Sequence, residues 1–226
     1  MDNRAIGIFD SGIGGLTSLK TLRTLLPEEN FIFFADTGRM PYGEKTRPQL
    51  RRMAEEDPHV FVPEQFSNPA NPEAHRHHTA LEILEQAARP IDGFCSGIGT
   101  GGTLSGIGEV LKAQNPNIRI WAVEPENAAI LAGGTVGTHL QMGIGDGLIP
   151  ENLNTRIYDH IYIVTDEEAL QTSRDLARKE GLMVGISAGT NVAAALKLAK
   201  HLGPGKTVVT ILPDTAERYF STPLFA

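Results

Sequence analysis

The chain contains one cysteine, Cys95, and one tryptophan. No internal disulfide can staple it, so an ordinary apolar core has to hold the fold. Cys95 sits in an apolar stretch, where a small buried hydrophobe is the ordinary role and a reactive thiol the alternative. No apolar run approaches the ~20 residues that a membrane span needs. The opening residues, M-D-N-R-A-I-G-I-F-D, lack a leader pattern, so a cytoplasmic location is expected. There is no lysine or arginine block either. With 27 acidic against 20 basic residues and a formal net charge of -7, no nucleic acid and no membrane is expected as a partner. A small metabolite is the expected one. Repeats and low-complexity tracts are absent, and the 226 residues suffice for one large α/β domain or two small ones.

Within this soluble composition, Ile91 to Thr103 stands out, reading I-D-G-F-C-S-G-I-G-T-G-G-T. An apolar strand runs straight into a glycine-rich turn, and a helix follows. Gly97, Gly99 and Gly102 satisfy G-x-G-x-x-G, and the next strand, Ile118 to Val123, ends at Glu124 near the usual ribose-carboxylate position, so spacing alone reads as a dinucleotide site. Glycines let the backbone approach an anion, and the positive end of the helix supplies donors and field. The wording Gly99-Thr100-Gly101-Gly102-Thr103 adds two hydroxyls to those amides. Bare glycine suits a bridging pyrophosphate, whereas hydroxyls and amides together suit a terminal phosphate monoester.

That turn, preceded by E-Q-F-S-N-P-A-N-P-E-A-H (Glu64 to His75) and followed by G-I-S-A-G (Gly185 to Gly189) and I-L-P-D-T-A-E-R-Y (Ile211 to Tyr219), resembles cysteine synthase, or O-acetylserine sulfhydrylase. The likeness covers His59 to Ala226 with the motifs in order. It implies pyridoxal 5'-phosphate as cofactor, with Gly99, Thr100, Gly101, Gly102 and Thr103 on its phosphate and Ser187 at its ring nitrogen. Gln65 and Phe66 match positions near the substrate carboxylate, and Gly143 to Gly147 resembles the family's glycine-rich loop. Read without the family, Ser187 is a helix N-cap.

The amino-terminal stretch reads differently. Ala5 to Phe9 is a strand, Leu16 to Leu26 an amphipathic helix and Phe31 to Ala35 a second strand, which makes a βαβ unit. D-S-G-I-G-G-L-T after the first strand and D-T-G-R-M-P-Y-G after the second resemble glutamate racemase over about Ala5 to Arg52. Asp10, Ser11, Pro41, Tyr42 and Gly43 match that family's active-site wording. Capping and turn formation account for the same residues. Racemisation in that family needs two opposed cysteines, and this chain has one. A seam is expected in the charged stretch Glu44 to Pro58, dividing a racemase-like unit (1–57) from a cysteine-synthase-like portion (58–226), as in a fusion or chimera.

Strands alternating with helices along the rest of the chain argue an α/β fold. Its expected form is a mostly parallel sheet flanked by helices, Rossmann-like, which by the resemblance is the large-domain half of a fold-type II pyridoxal-phosphate enzyme. The two portions are expected to pack as one layered structure, with the first two strands extending the sheet. His75 and His78 lie one helical turn apart, yet no third ligand is in view and no metal is expected.

The family's cofactor-bonding lysine lies upstream of the matching stretch, where only Lys20 and Lys45 stand, neither in the family's lysine motif. Lys45 is the weak catalytic candidate. The reading that follows is a cofactor- or phosphate-binding protein with impaired catalysis. The alternatives are a working cysteine synthase, a transferase making L-cysteine from O-acetylserine and sulfide, and a glutamate racemase-like protein. An amino-acid substrate or phosphate is the expected ligand, and homodimerisation is left open.

Overall fold

A computed structural model describes Ile6 to Asp10, Leu16 to Ala35 and Glu64 to Phe225, with side chains described from Leu19 to Phe33 and from Glu64 onward. The chain divides into two compact units, Met1–Pro63 and Glu64–Ala226. In the first, strand β1 (Ile6–Asp10) pairs in parallel with β2 (Phe31–Ala35), and helix α1 (Leu16–Leu25) joins them. Asp10 closes β1. Ser11, Pro41, Tyr42, Gly43, Lys45 and the expected seam lie outside the described residues.

The second unit is built on four parallel strands in the order β5-β4-β3-β6. They are β3 (Gly93–Gly97), β4 (Arg119–Pro125), β5 (His160–Val164) and β6 (Val208–Thr210). Among the described residues β1 and β2 form a two-stranded sheet of their own.

Side chains alternate along each strand, and each face is closed by helices. On one face Phe94, Ile120 and Ala122 meet Leu104, Ile107 and Leu111 of helix α4 (Gly102–Gln114). On the other, Cys95, Trp121 and Val123 meet Ile186, Ala193, Ala194 and Leu198 of helix α6 (Ile186–Leu202). Helix α5 (Asp166–Asp175) opens with three acids and is capped by the Thr165 hydroxyl, which accepts from the Glu168 amide at 3.1 Å, as the macrodipole and the orphan amides require. Before the sheet, helix α2 (Ala70–Ala74) continues through one wide π turn (His75–Thr79) into α3 (Ala80–Gln86). Arg76 ties this layer to α4 through Glu109 at 2.6 Å.

From β3 the chain steps to β4 and β5 on one side, then crosses back to β6 on the other. The winding therefore reverses at β3. In open parallel sheets the crevice beyond the carboxyl ends at such a reversal is where ligands bind. The glycine-rich turn follows β3 at that point. Among the described residues no helix is long and apolar enough to cross a membrane.

Candidate active site

The turn at Gly99 to Thr103 is forced by close packing on three sides. A Cβ on Gly99 would stand 2.5 Å from the Gly143 carbonyl oxygen. Gly101 has φ +79°, and a Cβ there would lie 2.7 Å from Leu153 Cβ. A Cβ on Gly102 would run into Asn71 Oδ1. Only glycine satisfies these constraints together. Gly101 is the N-cap of α4, and the first amide to turn inward is that of Ser105, which donates to the Gly101 carbonyl at 3.1 Å. Among the described residues the amides of Gly99, Thr100, Gly101, Gly102 and Thr103 donate to nothing. Consecutive free donors at a helix start make an anion cradle.

The two threonines are held from behind. Asn71 Nδ2 donates to Thr100 Oγ1 at 2.8 Å and to the Gln65 carbonyl at 2.9 Å. His75 Nε2 lies 3.2 Å from Thr103 Oγ1, and its Nδ1 lies 3.1 Å from Thr79 Oγ1. Burial holds the His75 imidazole below the ordinary histidine range. His77 and His78 are exposed, and His77 pairs with Glu73 at 2.9 Å. Both nitrogens of His75 are thus taken up by hydroxyls rather than shared with His78.

Gln65 and Phe66 meet the turn through their backbone. Asn152 donates its side-chain amide to the Gln65 carbonyl at 2.8 Å and its backbone amide to the Phe66 carbonyl at 3.1 Å. The Gln65 carbonyl therefore accepts from both Asn71 and Asn152, and the Gln65 residue itself is exposed. On the opposite side, the Gly145 amide donates to the Ile98 carbonyl at 2.9 Å and brings the loop of Gly143 to Gly147 against the turn.

Ser187 is the second residue of α6, whose N-cap is Gly185, so the N-cap role that the sequence offered for Ser187 is not the observed one. It is 5% exposed, and among the described residues its hydroxyl has no hydrogen-bond partner. The start of α6 is fixed to the glycine turn by Asn191, one helical turn on. Its Oδ1 accepts from the Gly97 amide at 2.7 Å and its Nδ2 donates to the Ile211 carbonyl at 2.8 Å. A second buried amide, Gln141, accepts from the Thr190 hydroxyl at 2.8 Å and donates to the Val164 carbonyl at 3.0 Å, tying the 133–150 loop to α6 and β5. Asn71, Asn152, Asn191 and Gln141 escaped the sequence reading. Their signal is an amide side chain beside glycine or proline wording, and its meaning depends on partners far along the chain.

Two sequence expectations are decided by geometry. Glu124 is 4% exposed, and its carboxylate accepts from the Leu131 and Ala132 amides at 2.8 and 3.1 Å. It serves the backbone turn and is not free for a ribose, which removes the dinucleotide reading. Cys95 is fully buried, its Sγ 3.6 Å from Thr210 Oγ1 and from the Asn191 carbonyl, and burial pushes its thiol up to about 12. At neutral pH it is no nucleophile and no racemase base.

None of the lysines described in the Glu64–Ala226 unit lies in the turn. Lys112 binds Asp159 at 3.2 Å, Lys179 binds Asp175 at 2.9 Å and Lys206 binds Asp92 at 2.8 Å. Lys197 and Lys200 are exposed, about 15 Å or more along α6 from Ser187.

The α/β crevice thus carries a hydroxyl-lined turn of free amides at its switch point, an arrangement able to accept an anion. The chain belongs to the pyridoxal-phosphate-dependent enzyme family, whose match covers residues 30–214. It has the fold-type II architecture of that family, and pyridoxal phosphate is the family's cofactor. Cysteine synthase of Staphylococcus aureus (strain N315) is 49% identical over 189 residues, which are 82% of this chain and 61% of the relative. The chain thus spans about three fifths of the length of such curated relatives. Among solved structures, O-acetylserine sulfhydrylase isoform 3 from Entamoeba histolytica superposes with a TM-score of 0.82 at 30% identity, over 100% of this chain and 73% of that one. The O-acetylserine-dependent cystathionine beta-synthase from Helicobacter pylori gives 0.77 at 34% identity, over 97% and 70%. The expected glutamate racemase unit finds no support in these comparisons, and neither does a fusion. The family match already begins at residue 30, inside the stretch that resembles the racemase.

Proposed function

We propose that the protein is a cysteine synthase, a cytoplasmic transferase forming L-cysteine from O-acetylserine and sulfide with pyridoxal phosphate held in the Gly99 to Thr103 turn. The observation that carries this reading is the donor set: five successive unpaired amides and two threonine hydroxyls around a cradle that a Cβ would fill. These residues fit a phosphate monoester. When bound, the cofactor supplies the electron sink for replacement of a β-substituent on an amino acid.

The chain's own residues have separable roles in this reading. The turn's amides and the Thr100 and Thr103 hydroxyls bind the phosphate dianion. The hydroxyl of Ser187, a largely buried residue, is free of any partner among the described residues and is the group for the ring nitrogen. A neutral hydroxyl there leaves that nitrogen largely unprotonated, which suits elimination and replacement rather than racemisation. Gln65 and Phe66 flank the substrate side of the turn.

Every lysine described in the second unit is exposed or paired away from the turn, so none of them is placed to take the α-proton. Lys45 is the candidate. The same observation favours a second reading, in which the protein holds the cofactor without turnover. Sulfide-dependent cysteine production by purified protein with added cofactor separates the two. Turnover abolished in Lys45→Ala and reduced in Ser187→Ala is the expected result. No turnover in the wild-type protein, with cofactor binding intact, would leave only the second reading.

A further inference from the structure

We propose that Asn71 is a positioning residue for the anion turn: its side-chain amide donates to the Thr100 hydroxyl and so leaves the hydroxyl proton free for whatever occupies the cradle. The proposal rests on the reading of the turn as a phosphate site and deepens it.

Asn71 Nδ2 lies 2.9 Å from the Gln65 carbonyl and 2.8 Å from Thr100 Oγ1. A backbone carbonyl can only accept, so the amide nitrogen, with its two hydrogens, must be the atom at this position. One hydrogen goes to Gln65, which leaves the second aimed at Thr100 Oγ1. A threonine hydroxyl that accepts along one lone pair must send its own proton elsewhere. Among the described residues no acceptor takes that proton, just as none takes the amides of the turn. The orientation of Asn71 is itself locked. Its Oδ1 occupies the space that a side chain on Gly102 would need, and the Gln65 carbonyl is pinned a second time by Asn152 at 2.8 Å.

The second hydroxyl also has a nitrogen behind it. His75 Nε2 stands 3.2 Å from Thr103 Oγ1, while Nδ1 faces the Thr79 hydroxyl at 3.1 Å, and the ring tautomer sets in which of the two pairs the imidazole donates.

A double-mutant cycle on inorganic phosphate and pyridoxal phosphate binding tests this by isothermal titration with the full chain. Asn71→Asp replaces the donor by an acceptor, to which the Thr100 hydroxyl would turn. Affinity should fall about 10- to 100-fold with Thr100 present, the range of one lost hydrogen bond to a charged group. The new carboxylate also repels the anion, but it does so equally in a Thr100→Val background. There the loss should be smaller by about tenfold or more. Asn71→Leu repeats the cycle without added charge, with about a threefold loss expected on Thr100 and none on Thr100→Val. Equal losses in both backgrounds, in either cycle, would overturn the role of Asn71 while leaving the phosphate site standing. Failure of the wild-type protein to bind either probe would overturn the site, and the proposal with it.

Discussion

Asn191 is the residue whose loss should be felt most widely, since one buried side chain fastens three elements. It is 2% exposed, accepts from the Gly97 amide at the end of β3 at 2.7 Å, and donates to the Ile211 carbonyl just beyond β6 at 2.8 Å. Asn191→Ala leaves a backbone donor and a backbone acceptor unsatisfied inside the protein. Each costs about 1–3 kcal/mol, so a destabilisation of about 2–6 kcal/mol is expected, a large part of the ~5–15 kcal/mol a domain has in total. Asn191→Asp keeps the acceptor for Gly97 and sets a carboxylate oxygen against the Ile211 carbonyl, so it should fall in the same range in spite of equal size. Equilibrium urea unfolding followed by Trp121 fluorescence reads the change, expected as a midpoint lower by about 1–2 M. A loss below about 0.5 kcal/mol for Asn191→Ala would refute the claim that this amide holds the site together.

Two further outcomes follow from the geometry of the turn. Gly101→Ala meets both a φ of +79° and Leu153 Cβ at 2.7 Å, so it should destabilise by about 1–3 kcal/mol and weaken phosphate binding; unfolding and titration on the same variant check both. His75 is half-buried and desolvation lowers its pKa, so between the ordinary histidine value of 6.5 and its own lower value the unfolded chain binds the proton first. Stability is full above that window and falls as pH drops through it, and a thermal midpoint series should show a shallower acid decline for His75→Gln.

Much of the fold was legible because periodicity reports burial directly. The bounds expected for β2, Phe31–Ala35, are those observed, and the strand, glycine turn and helix expected around Ile91 to Thr103 follow one another in that order, with the helix opening at Gly102 inside the turn wording. Helix starts were harder. Helix α6 begins at Ile186, inside the Gly185 to Gly189 wording, whose two glycines read by themselves as a loop. Gly189 is there for packing instead: a Cβ on it would run into the Ala169 carbonyl and the Ser173 hydroxyl of α5. Helix α2 likewise starts within N-P-A-N-P, since Pro69 is its N-cap and Pro72 falls in the first turn, where a missing amide costs nothing. The glycines and threonines of the site were readable as a local motif. Asn71 was not, because its partner Thr100 is 29 residues away, and Asn191 reaches 94 residues back to Gly97. The dinucleotide spacing misled for a related reason: the Glu124 carboxylate is consumed by amides that no motif contains.

The account stands on the glycine turn as the place where the cofactor's phosphate is held, and the preference for pyridoxal phosphate over pyridoxal measures that share alone. The wild-type protein should bind the phosphorylated form at least about tenfold more tightly, and Thr100→Ala/Thr103→Ala should lose most of that preference while its affinity for pyridoxal stays the same. Equal affinity of the wild-type protein for the two compounds, or a preference untouched by the double substitution, would contradict it.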